Sequence, residues 1–234
     1  MIEVNRWLGE LEGRLEALRE SGVPEDVHQL RVATRRLAAW LRLGGHHVLR
    51  DDLRWLRRVA GAVRDIDVVI EVEGDATWSR WLRSERRVRH QALRIALDAE
   101  RTAGLVLALR SLPAVSRETA RARLRRLASR ALEAGEALEA QPEDAERFHV
   151  LRRKVRVVRY SLEWLEEKTG AFREFQEVSG LAADRALSLR LLAIYPQVEE
   201  LAARKSQLET EYAERRRAAL DTWPALRERI RDMR

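Results

Sequence analysis

Apolar residues recur at helical spacing through almost the whole chain. Val4, Leu8, Leu11, Leu15 and Leu18 step by four, three, four and three, which lines one face of a first helix. Pro24-Glu25-Asp26 reads as the start of a second, with proline in the first turn and acids near the positive end of the helix dipole. That helix stops at Gly44-Gly45. A third passes through Leu53, Leu56 and Val63 towards Gly74-Asp75, and a fourth begins near Trp78 and carries Trp81, Leu82, Leu93 and Leu97, running on to Leu112. Pro113 is the first strong break near mid-chain. The rhythm then repeats. One helix covers 116–139, Gln141-Pro142-Glu143-Asp144 opens the next, Gly170 precedes a third, Pro196 introduces a fourth, and Trp223-Pro224 starts a short last one. Ile70-Glu71-Val72-Glu73-Gly74 is the one strand-like run, too short and isolated for a sheet. The expectation is an all-α protein of two four-helix bundles, residues 1–112 and 113–234, joined by short connections within one domain.

The two halves share a basic motif. His28-x-Leu30-Arg31-x-x-x-Arg35 and His149-x-Leu151-Arg152-x-x-x-Arg156 agree at every named position, each 121 residues after its counterpart. Gly61-Ala62-Val63-Arg64-Asp65 likewise matches Gly180-Leu181-Ala182-Ala183-Asp184, 119 residues on. Ordered matches at nearly one separation indicate an internal repeat. A duplicated cation cluster facing itself across a pseudo-twofold axis would form one large anion site.

Composition sharpens the chemistry. The 234 residues carry a net charge of +7, and lysine occurs only at Lys154, Lys168 and Lys205, so 42 of the 45 basic residues are arginine. Arginine offers a planar fork to phosphate oxygens, where lysine is a point charge. Residues 27–50 and 147–162 contain no acid at all. On one side of the second helix stand His28, Arg31, Arg35 and Arg42, with Arg36 at the margin; His149, Arg152, Arg153, Arg156, Arg159 and Tyr160 share a face in the second copy. Charged helix faces usually mix signs, because like charges three or four residues apart repel. Two acid-free faces therefore favour an anion site over ordinary solvation. Tyr160 is their only aromatic, so phosphate without bases fits better than a stacked single strand.

With no cysteine there is no disulfide framework, thiolate metal site or cysteine nucleophile. The N-terminal residues lack a signal-peptide profile, and no stretch is long and apolar enough to span a bilayer, so the expected location is cytoplasmic, with no membrane partner. Enzymatic chemistry has one candidate, Arg64-Asp65-Ile66-Asp67, where two carboxylates could hold Mg²⁺ against phosphate. The second copy keeps Asp184 but has Ala186 in place of Asp67, so the favoured role for Asp65 and Asp184 is to cap helices or orient the motif arginines. His46-His47 is a weak metal signal, and His90 reads as part of a solvated face. Arg123, Arg126 and Arg130 form a second tier that could widen the basic rim. No catalytic residue, metal or cofactor is assigned.

These residues resemble the CHAD family, the conserved-histidine α-helical domain. The resemblance rests on His28-x-Leu30-Arg31-Val32-Ala33-x-Arg35-Arg36-Leu37, on Trp55-Leu56 through Gly61-x-x-Arg64-Asp65-x-Asp67, on His149 through Glu163, and on Gln176-x-x-x-Gly180-x-x-x-Asp184. It implies two four-helix bundles related by a pseudo-twofold axis, with a basic central channel that binds inorganic polyphosphate. It also implies association with polyphosphate granules or polyphosphate-metabolising enzymes. Glu10-x-Glu12-x-Arg14 superficially resembles a CYTH triphosphatase signature but lies within a leucine-periodic helix. The expected activity is non-enzymatic polyphosphate binding. The alternatives are a nucleic-acid-backbone binder and a metal-dependent polyphosphate hydrolase.

Overall fold

A computed structural model describes residues 1–73 and 78–233. They form ten α-helices and one short 3₁₀ turn, with no strand among the described residues. The chain divides into two compact units, Met1–Ala120 and Arg121–Arg234.

The first unit holds α1 (Asn5–Glu20), α2 (Pro24–Gly44), α3 (Arg50–Glu73), α4 (Ser79–Asp98) and α5 (Glu100–Arg110). Its core is the periodic set predicted from the sequence. Leu11, Leu30, Leu37, Trp40, Leu53, Leu56 and Val63 are fully or almost fully buried, and so is Trp78. Burying each leucine contributes about 1.5–3 kcal/mol. Pro24 opens α2 as expected, and Gly45 closes it in the left-handed conformation at φ 73°, where its N–H donates to the Arg42 carbonyl. The next residue, His46, stacks on Trp40 at 5.4 Å. An antiparallel bridge pairs Ile2 with Val115, and the Trp40 indole donates to the Ile2 carbonyl at 3.2 Å.

One difference from the sequence reading falls in this unit. The fourth helix does not run unbroken to Leu112; Ala99 turns to an extended conformation and separates α4 from α5. Neither proline nor glycine marks the break. It is stabilised from outside and inside: Arg19 of α1 donates to the Leu97 carbonyl at 2.7 Å and to Asp98 at 3.0 Å, while the buried Thr102 hydroxyl donates to the Ala96 carbonyl at 2.6 Å. Those donors satisfy carbonyls that the helix would otherwise have paired. Residues 70–73 of the strand-like run belong to the last turn of α3, and the expected stop at Gly74-Asp75 lies outside the described residues.

The helix α6 (Arg117–Glu139) begins in the first unit and continues into the second. The second unit adds α7 (Ala145–Leu165), α8 (Gly170–Leu192), α9 (Ala202–Asp221) and α10 (Trp223–Arg231), with the 3₁₀ turn Val198–Leu201 following Pro196. Asp144 caps α7, accepting from the backbone N–H groups of Glu146 at 2.9 Å and Arg147 at 3.0 Å. The buried Arg216 of α9 braces the loop before it, donating to the carbonyls of Pro142 and Glu143. Among the described residues no helix is long and apolar enough to cross a membrane.

Candidate anion-binding site

In the first unit α2 and α3 pack against each other and are joined by a short turn, so they run antiparallel. The acid-free face of α2 looks onto α3. Arg31 donates from Nη1 to Asp65 Oδ1 at 3.2 Å and to the Gly61 carbonyl at 3.4 Å. Its guanidinium lies over the α3 backbone, since a Cβ on Gly61 would sit 3.8 Å from the Arg31 guanidinium carbon. His28, one turn earlier, is half-buried with Arg64, Arg35 and Arg31 around it. Its imidazole titrates below the ordinary value because of burial first, then Arg64, with Glu25 partly opposing. Arg31 is pulled down in the same way, by burial and then by Arg35, against the pull of Asp65.

Arg42 lies at the other end of α2, where Nη1 donates to the Ala38 carbonyl of its own helix at 2.9 Å. Burial, then Arg50, Arg57 and Arg54, lower its pKa to about 10. The Arg36 guanidinium stacks on the Trp7 ring of α1, 3.8 Å from the ring centre.

The second motif repeats the central crossing. Arg152 donates from Nε to Ser179 Oγ at 3.2 Å, and a Cβ on Gly180 would lie 3.7 Å from its Nη2. His149 is exposed, and its pKa is lowered by partial desolvation first, then by Arg153, with Glu146 opposing and Arg156 and Arg152 adding to the repulsion. Arg153 is exposed and reaches Glu146 at 3.4 Å. Arg159 pairs with Glu163 at 2.7 Å and covers the Tyr160 ring at 4.3 Å. Tyr160 itself is only 4% exposed, so it serves mainly as packing beneath Arg159. In the second tier, Arg126 and Arg130 are exposed and Arg123 is half-buried.

The two carboxylates weighed as a metal site diverge. Asp65 holds Arg31, whereas Asp67 is buried and accepts from Arg86 Nε of α4 at 2.5 Å. Two residues apart on a helix, they leave it about 200° apart. His47 contacts Arg50 at 3.0 Å, and His90 packs against the Gly22 turn between α1 and α2. Among the described residues no group of three or more His, Asp and Glu stands together as metal ligands do.

Sequence reasoning placed Arg64 and Asp65 of α3 beside the motif but missed Arg50, Arg54 and Arg57. Arg50, Arg54, Arg57 and Arg64 stand at spacings of four, three and seven, one stripe of α3. The signal was present but hidden, because Asp51 and Asp52 interrupt it in the sequence and remove the acid-free window. In the structure Asp52 turns aside to Arg101 at 2.7 Å, and Asp51 is an exposed partner of Arg54.

With this geometry in place, comparison with known proteins gives the class. A profile of the CHAD domain matches residues 4–193, and the chain belongs to the CHAD domain family, which is associated with polyphosphate binding. Among solved structures it is similar to the CHAD domain from the plant Ricinus communis, at 25% identity and a TM-score of 0.70, covering 98% of this chain and 88% of that one. PptA from Streptomyces chartreusis shares the fold at 17% identity, with a TM-score of 0.64 over 99% of this chain and 97% of that one. Comparison with curated proteins finds no match.

Proposed function

We propose that this chain binds inorganic polyphosphate through the helix faces that carry His28, Arg31, Arg35 and Arg42 in one unit and His149, Arg152 and Arg156 in the other. The observation that carries this reading is the crossing of a motif arginine over a helix glycine, Arg31 over Gly61 and Arg152 over Gly180, within clusters where arginines outnumber acids. Guanidinium forks set side by side suit a chain of phosphates, whose oxygens recur and whose charge persists along its length. Arg36, Arg153, Arg159 and Tyr160 act at the edges, since each has a protein contact to give up or to keep. Membership of the family supports the same ligand. The proposed setting is cytoplasmic, at polyphosphate granules or beside polyphosphate-metabolising enzymes.

Binding without turnover is part of the proposal. Asp65 and Asp67 each hold an arginine, on different faces of α3, which leaves no carboxylate pair aimed at one ion. Phosphate release in the presence of Mg²⁺ or Mn²⁺, stopped by Asp65→Asn, would replace this reading with a hydrolase.

The test is calorimetric titration of the full chain with long-chain polyphosphate, beside a DNA duplex at near-physiological salt. Tight binding of polyphosphate and weak binding of DNA are expected. Arg31→Glu combined with Arg152→Glu abolishes binding while circular dichroism shows unchanged helicity. Retained affinity in that variant, or preference for DNA at matched charge, overturns the assignment.

A further inference from the structure

The two units are unequal, and the inequality follows from the second wall. In the first unit that wall is arginine-rich. Four residues before Gly61 stands Arg57, seven before it Arg54, and three after it Arg64. Around Gly180 the same offsets hold Gln176, Arg173 and Ala183. The α8 wall therefore keeps one cation where the α3 wall has three.

The α3 arginines face the α2 stripe along its length. Arg57 lies close to both Arg31 and Arg54, Arg42 stands near Arg50, Arg54 and Arg57, and Arg64 stands beside His28 and Arg31. That pairing order is what antiparallel helices impose. From His28 to Arg42 the stripe spans about 21 Å at 1.5 Å per residue. The acids within reach are few. Asp65 is committed to Arg31, while the competitors for Arg54 and Arg64 are Asp51 and Glu71, 79% and 69% exposed. Exposed pairs of that kind bind weakly and yield readily to a polyvalent anion. Among the described residues Arg57 makes no ion pair, and the Arg50 Nε is buried without a hydrogen-bond partner. Folding has brought like charges together across two helices, which is unfavourable until an anion joins them.

We propose that the first unit alone carries a two-walled phosphate track, with Arg54 and Arg57 of α3 as its second wall, able to take a short linear oligophosphate without help from α7. This rests on phosphate as the ligand of the motif, and adds that the dominant grip lies in one unit. In the second unit Gln176, whose Nε2 is buried without a partner among the described residues, offers an amide where Arg57 offers a fork. A long polymer engages both motifs; a short one is held by the first.

Tripolyphosphate and long-chain polyphosphate, each titrated into the full chain, test this. Arg54→Gln with Arg57→Gln weakens tripolyphosphate binding by roughly tenfold or more, and flattens the dependence of log affinity on log salt by about 1 to 2. Arg152→Gln weakens the long polymer more than it weakens tripolyphosphate, the reverse of the α3 variant. If Arg57→Gln lowers thermal stability without ligand, Arg54→Gln at its half-exposed position carries the comparison alone. Equal tripolyphosphate affinity in wild type and the α3 variant overturns the inference, as does an equal loss in Arg152→Gln. Long polymer bound without tripolyphosphate sinks the track while sparing the polyphosphate reading. Tripolyphosphate bound without the polymer does the reverse, and a protein that binds neither loses both.

Discussion

His28 sits half-buried among Arg64, Arg35 and Arg31, so its ring resists a proton in the free protein. The unfolded chain, with the ordinary value of 6.5, takes that proton first. Ligand-free stability therefore falls as the pH drops below 6.5, the direction expected when the folded pKa is the lower one. A bound polyanion reverses the local field and raises the histidine pKa. Binding then takes up protons, and affinity for polyphosphate increases as the pH falls from about 8 to about 6. Calorimetry in two buffers of different ionisation enthalpy measures the uptake directly. His28→Gln with His149→Gln removes most of it; the same uptake in that variant would show that other groups titrate. The motif residues themselves were legible in the sequence because the histidine and arginines repeat at one spacing. The fate of Arg36 was not. Its angular position puts it at the edge of the stripe, and its stacking partner Trp7 comes from α1, a different helix.

Helices α2 and α7 present the motifs, and each is held at its ends by a different device. For α7 the device is Asp144, whose carboxylate is stabilised in its charged form by the Arg147 backbone N–H first and then by that of Glu146. Its contribution is present above the ordinary value of 3.8 and fades as the pH falls through the lower folded value. Asp144→Ala lowers the melting temperature at pH 7, Asp144→Ser recovers most of the loss, and the gap between wild type and the alanine variant closes in strong acid. A gap independent of pH would mean that the cap is not the cause. Further along, Gly135 of α6 faces Trp223 of α10 so closely that a Cβ would land within the indole ring. Gly135→Ala therefore destabilises by about 1–3 kcal/mol, read from chemical denaturation, although alanine favours helix. Helix starts at Pro24 and after Pro142, and the stop at Gly45, were readable because proline and glycine act locally. The break at Ala99 was not, since the groups that stabilise it come from Arg19, far away in sequence, and from one buried threonine hydroxyl.

At the scale of the whole molecule the net charge of +7 draws polyanions of any kind, and specificity has to come from how the cations are arranged. The measurable signature is salt. Log affinity for long polyphosphate falls linearly with log salt, by about 0.7 for each phosphate contact if the ligand behaves as a single strand. Arg35→Gln with Arg156→Gln lowers that slope by about 1 to 2; an unchanged slope would place the binding elsewhere on the surface. The all-helical class and the basic faces were visible in composition and periodicity alone. The unequal second walls were not, because they depend on which helix packs beside each motif. Lys154, Lys168 and Lys205 are the only side-chain amines, and none lies on α2 or α3. Acetylation, the usual covalent way of silencing a cationic surface, therefore has no side-chain amine to modify on either helix.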